Sequence, residues 1–272
     1  MNSTRITFIG GGNMAHALVT GLVGSSSAPQ ITVADPDPSQ LARFAGSLVS
    51  VTSDNVGALR DADTVVLAIK PQILERVARE IEATLKSTQL IVSIAAGVPM
   101  TAMQRWLGDN QPIVRCMPNT PALIGAGITG LVANGNVSEA QKNAAASVVA
   151  AAGEVVWFDD ERLLDAVTAV SGSGPAYIFY LLEAMIEAGE EIGLDAASAK
   201  QLAIATALGA ARMAQASADD PAQLRQNVTS EGGTTERAIS ILDDGDVKAK
   251  VRAAIRGAWN RSRELGQEFG QQ

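Results

Sequence analysis

Short apolar runs alternate with stretches of helical period through roughly the first 160 residues, the pattern of a parallel sheet with helices packed on its faces. The runs predict strands over residues 5–10, 31–34, 49–52, 64–70, 90–95, 113–117, 129–133 and 154–158. Helical stretches between them cover residues 14–22, 39–48, 71–85, 100–107 and 138–152. The expected fold class is α/β: a doubly wound, Rossmann-like, mostly parallel sheet, followed by an all-α domain.

Past Asp159 and Asp160 the β signal stops. Every later segment reads as helix, broken at Ser171-Gly-Ser-Gly174, Gly193-Leu-Asp195, Asp219-Asp-Pro221, Gly232-Gly233 and Asp243-Asp-Gly245-Asp246. Residues 1–160 and 161–272 are therefore expected to form two domains. Helices over 176–192 and 198–213 carry apolar or small residues on nearly every face, more than a domain of about 110 residues covers by itself. An interlocked helical dimer is the expected remedy, the alternative being a helix wrapped by its own neighbours.

Composition narrows the partners. At 272 residues and 47% hydrophobic content the chain has material for two cores. A formal net charge of -8, with no basic run interleaved with aromatics, argues against nucleic acid and anionic membrane and leaves small molecules or copies of the same chain. Cys116 is the only cysteine, which excludes an internal disulfide and a Cys-rich metal site and fits a reducing compartment. Because the start of the chain runs straight into a strand and no apolar run approaches membrane-spanning length, a cytoplasmic location is expected. No metal site is expected.

Gly10-x-Gly12-x-x-Ala15 stands where the first strand meets the first helix, the setting a dinucleotide pyrophosphate needs. Gly10 turns the chain, Gly11 and Gly12 admit phosphate, and a small Ala15 lets helix pack on strand. Asp35 ends the second strand, where a carboxylate accepts from a ribose 2′-hydroxyl and repels a 2′-phosphate; this favours NADH. Arg43 on the next helix keeps NADPH open, and Asp35 as a simple cap before Pro36 is the bland alternative. Strands also end at Ala68-Ile69-Lys70-Pro71 and at Ala95-Ala96-Gly97, on the edge where such sheets bind ligands. There Lys70 could meet a phosphate or ribose, or be an ordinary solvated lysine, while Ala96 and Gly97 let a nicotinamide approach the backbone. Asn119 and Thr120, in a proline-stiffened loop, could line the same pocket. Cys116 reads as a packing residue and His16, the only histidine, as structural.

At the other end, Val228-Thr-Ser-Glu-Gly232-Gly233-Thr234-Thr235 precedes a helical pattern, so backbone N–H groups and hydroxyls converge at a positive helix end that suits a small carboxylate. Hydride transfer at an alcohol would also need a proton-exchanging group. The helical half has only Lys200, Lys248, Lys250, Tyr177 and Tyr180 to offer. A cyclic imine protonated in solution avoids that need and leaves positioning as the main catalytic task.

These residues resemble pyrroline-5-carboxylate reductase along essentially the whole chain, through Phe8-Ile-Gly10-Gly-Gly-Asn-Met14, Ala68-Ile-Lys-Pro71, Cys116-Met-Pro-Asn-Thr-Pro121, Asp165-Ala-Val-Thr168, Ser171-Gly-Ser-Gly-Pro-Ala-Tyr177 and Val228-Thr-Ser-x-Gly-Gly-Thr-Thr235. The resemblance implies reduction of 1-pyrroline-5-carboxylate to L-proline with NADPH or NADH, the last step of proline biosynthesis, in a homodimer that often assembles into a homodecamer. It implies a dinucleotide-binding domain over residues 1–160 and a helical dimerisation and substrate domain over 161–272. By the same resemblance Thr234 and Thr235 bind the substrate carboxylate, with Glu161 close to the ring, from the same or the partner subunit. Asn13, Met14, Asn55, Ile69, Lys70, Ala96 and Asn227 touch the cofactor. Read without it, Glu161 is a charge at a helix start and Asn227 a loop cap. A β-hydroxyacid dehydrogenase would need a catalytic lysine on the helix after Ser171-Gly-Ser-Gly174, and residues 175–199 contain none. A dinucleotide-binding regulator or pyridoxal-phosphate carrier would need no organised carboxylate site.

Overall fold

The computed structural model describes residues 4–25, 28–46 and 48–270. Its strands are β1 (Arg5–Ile9), β2 (Gln30–Ala34), β3 (Val49–Thr52), β4 (Thr64–Leu67), β5 (Leu90–Ser93), β6 (Ile113–Met117), β7 (Gly127–Ala133) and β8 (Gly153–Trp157). They form one sheet in the order β3-β2-β1-β4-β5-β6-β7-β8. All neighbours run parallel except β6 and β7. The exception has a simple cause: the β6–β7 link holds only a 3-10 turn over Thr120–Ile124, too little for a parallel crossover.

Side chains alternate across this sheet and build two cores. Phe8, Val33, Val66, Val92 and Val114 face one way, and Ile9, Ala34, Leu67, Ile91 and Ile113 the other. Onto these faces pack α1 (Asn13–Val23), α4 (Pro71–Glu82), α5 (Met100–Leu107) and α6 (Glu139–Ala150). The short α2 (Pro38–Ala42), α3 (Asn55–Ala58) and α7 (Leu163–Val167) complete this part.

Three expectations need adjustment. The helix predicted over 39–48 is only α2, capped by Asp37; turns follow to Gly46 at φ +80°, and Ser47 lies outside the described residues. The four-residue α3 was not predicted, although Asp54 caps it by accepting from Gly57 N at 2.9 Å. The predicted break at Ser171–Gly174 does not stop the helix, because the chain passes from α7 through a π turn over Thr168–Gly172 directly into α8 (Gly174–Glu191).

The remaining helices are α9 (Ala196–Ala216), α10 (Pro221–Asn227), α11 (Thr234–Asp244) and α12 (Val247–Gly270). Two compact units result: one runs through Ser173 and regains the chain from Ala258 onward, the other is Gly174–Gly257. In the first, the end of α12 closes over the β5–α5 turn. Phe269 is buried there, a Cβ on Gly97 would lie 3.5 Å from Leu265 Cβ, and Arg105 Nη2 donates to Gly270 O at 2.8 Å. In the second, α8 and α9 pack through small residues, with Gly189, Ala199 and Ala203 buried. Most of its large apolar side chains, including Ile178, Phe179, Leu181, Leu202, Leu208 and Met213, stay exposed in the single chain.

Candidate active site

The carboxyl edge of β1, β2, β4 and β5 collects the predicted nucleotide residues within the first unit. Gly10 takes φ +101°, and a Cβ there would lie 2.5 Å from Ala68 O and 2.8 Å from Ile69 Cγ2. Only glycine fits this turn. Gly12 is the N-cap of α1, has no side-chain cap, and faces open space; the first turn carries no acidic residue. Its leading amides are therefore available to an anion. Asn13 is exposed and Met14 half-buried against the core.

Asp35 is built into the same turn. Its Oδ2 accepts from Gly11 N at 2.7 Å and its Oδ1 from Asp37 N at 2.8 Å. The capping interpretation and a ribose-binding role are thus compatible, since each carboxylate oxygen keeps a further lone pair. Asn55 opens α3; its Nδ2 donates to Glu80 Oε1 at 3.2 Å while its buried Oδ1 has no partner among the described residues. Lys70 is the exposed N-cap of α4, and Ala96 is exposed beside Gly97 at φ +77°. A turn that admits no Cβ, an uncapped helix start and an orphaned amide oxygen suit a bound dinucleotide.

Asn119 is otherwise engaged. Its Oδ1 accepts from Ile128 N at 3.0 Å and its Nδ2 reaches Ser171 Oγ at 3.4 Å, so it fastens the loop after β6. Cys116 is buried, and loss of solvation pushes its thiol far above the ordinary range, which suits a packing residue. His16 lies with its ring 5.6 Å from that of Phe44.

Glu161 sits in the first unit with its carboxylate committed: Oε1 accepts from Arg115 Nη1 at 2.6 Å and from Met100 N at 2.7 Å. It caps α5, not its own helix, and neutralises a cation that β6 carries into the interior. Arg115 is the residue missed in the sequence. Its signal was a charged side chain inside the apolar run Ile113–Met117, which requires a buried partner.

The predicted carboxylate end belongs to the second unit. Gly233 is the N-cap of α11 without a side-chain cap, followed by exposed Thr234 and half-buried Thr235. The loop uses two amides itself: Gly232 N donates to Glu236 Oε2 at 2.7 Å and Gly233 N to Ser230 O at 3.1 Å. The expected set of free donors therefore narrows to the start of α11 itself. Asn227, the last residue of α10, accepts from Gln223 Nε2 at 2.8 Å. Among the described residues no cluster of His, Cys, Asp or Glu is placed to hold a metal, and no helix is long and apolar enough to cross a membrane.

Two family models match the chain: pyrroline-5-carboxylate reductase dimerisation over residues 161–265, and NADP oxidoreductase, coenzyme F420-dependent, over residues 5–97. A Pseudomonas aeruginosa protein named pyrroline-5-carboxylate reductase is 49% identical over 100% of both chains. The Pisum sativum protein of that name is 36% identical over 97% of each. The structure of a Coxiella burnetii pyrroline-5-carboxylate reductase superposes with a TM-score of 0.92 at 44% identity, covering 97% of this chain and 99% of that one. A Plasmodium falciparum pyrroline carboxylate reductase with NADP bound gives a TM-score of 0.87 at 29% identity over 98% and 99%.

Proposed function

The chain belongs to the pyrroline-5-carboxylate reductase family, and from that premise we propose how its residues carry out the reaction. It reduces 1-pyrroline-5-carboxylate to L-proline with NADPH or NADH, the final step of proline biosynthesis. The nucleotide is assigned to residues 1–160, through Gly10, Gly11, Gly12, Asn13, Met14, Asp35, Asn55, Ile69, Lys70 and Ala96; Asn227 is assigned to the cofactor by family resemblance alone. The bound nicotinamide supplies a hydride.

Thr234 and Thr235 hold the substrate carboxylate with their amides and hydroxyls at the positive end of α11. The substrate nitrogen enters already protonated, so the C=N π electrons collapse onto nitrogen as hydride arrives at C5, and no enzyme acid is required. The chain's task is orientation and exclusion of water. Glu161 acts here as a positioning residue, tying the start of α5 to β6 through Met100 N and Arg115.

The observation that carries the site assignment is the uncapped start of α11 directly after Gly232 at φ +69° and Gly233. Steady-state oxidation of NADH and NADPH with the imine tests it, together with Thr235→Ala. That variant is expected to raise the KM for the imine far more than that for the cofactor. Equal effects on both would remove the carboxylate assignment, and absence of imine-dependent oxidation would remove the reaction.

We infer that residues 161–272, of which 161–265 match the dimerisation family model, form the dimerisation part, with a homodimer as the basic unit and a homodecamer as its further assembly. Exposed apolar residues along α8 and α9 support this. The protein is assigned to the cytoplasm.

A further inference from the structure

We propose that Asp35 makes this reductase prefer NADH over NADPH, a specificity that rests on the cofactor reading above and goes beyond it. The first observation is geometric. A carboxylate on a free side chain could swing away from an incoming 2′-phosphate, but this one is held at both oxygens by backbone donors, Gly11 N at 2.7 Å and Asp37 N at 2.8 Å. Moving it would break one bond to the glycine turn that receives the pyrophosphate and another to its own loop. The turn itself is closely surrounded: a Cβ on Gly11 would meet Gln40 Cβ at 3.2 Å, a Phe44 ring carbon at 3.3 Å and Asp35 Cβ at 3.6 Å.

The second observation is the charge around this edge. Asp37 brings a second carboxylate, held below the usual carboxylate range by hydrogen bonds from the Ser39 side chain and amide. From β2 through Gly46 the only cation is Arg43, and its Nη1 is engaged by Gln40 Oε1 at 3.1 Å. A 2′-phosphate carrying up to two negative charges would thus come beside Asp35 and Asp37, with Arg43, hydrogen-bonded to Gln40, as the one cation of this stretch to offset them. A 2′-hydroxyl instead donates to a lone pair that Asp35 still has to spare.

Direct binding separates this from catalysis. Isothermal titration of the full-length protein with NADH and with NADPH, without imine, is expected to give at least about tenfold tighter binding of NADH, or about 1.4 kcal/mol. Asp35→Asn keeps the shape and an acceptor for Gly11 N but removes the charge, and is expected to narrow the ratio at least about fivefold by strengthening NADPH binding. Asp35→Ser is expected to act in the same direction. Equal or tighter binding of NADPH to the unaltered protein overturns the proposal whatever the variants do, as does an unchanged ratio in a folded Asp35→Asn. Failure of both dinucleotides to bind would overturn the cofactor reading itself.

Discussion

Thr235 and Glu161 show two different uses of the same physics, a polar group placed where a backbone end lacks a partner. For Thr235 the proposed partner is the substrate carboxylate: a hydrogen bond to a charged group contributes about 1.5–3 kcal/mol, so Thr235→Ala is expected to raise the KM for the imine by roughly 10- to 100-fold. For Glu161 both partners are internal, and Glu161→Ala strands Met100 N and the Arg115 guanidinium, whose side chain is only 10% exposed. A loss of about 2–3 kcal/mol in urea unfolding is expected, with partial recovery in Glu161→Gln; an unchanged midpoint would show that the clamp contributes nothing. Burial holds the Cys116 thiol protonated across the neutral range, so native protein should not react with iodoacetamide at about pH 8, whereas unfolded protein should. At this scale the sequence was most legible where a residue type has few uses. Gly10, Gly12 and Asp35 announced a turn and its carboxylate from spacing alone. The partners of Glu161 lie 46 and 61 positions away, and no local pattern encodes them.

Among elements, strand cores were read well and strand ends poorly. Predicted strands ran on through Gly10, through Ala68–Lys70 and through Ile94–Ala95, because apolar character persists where the backbone leaves the sheet. Those overhangs form the edge to which the cofactor is assigned. Gly10→Ala tests how rigid it is: the added methyl would lie 2.5 Å from Ala68 O on a backbone at φ +101°. A loss of at least about 2 kcal/mol in stability and a weakened affinity for both dinucleotides are expected by denaturant titration and calorimetry. Stability and affinity like those of the parent would mean that the turn relaxes freely. The end of α12 poses a similar question. Helical period alone could not show that Leu265 and Phe269 return to pack beside Gly97 in the first unit. Truncation after residue 264 should uncover that turn and cost about 3 kcal/mol, the burial energy of a large apolar side chain and its neighbour.

The whole molecule was legible through an excess. Helices 176–192 and 198–213 carry more apolar surface than one small domain can cover, and α8 and α9 indeed leave Phe179, Leu202 and Leu208 in solvent. Phe179→Glu places a charge on that surface, so a shift from dimer to monomer at micromolar concentration is expected by sedimentation velocity. An unchanged assembly would locate the interface elsewhere. What composition could not convey is which donors serve the substrate, since Gly232 and Gly233 spend their own amides inside the loop. A crystal structure of the protein with L-proline bound tests the central claim most directly. The account predicts the proline carboxylate about 3 Å from the Thr234 and Thr235 amides. A carboxylate gripped by an arginine, or lodged anywhere away from the start of α11, would contradict it.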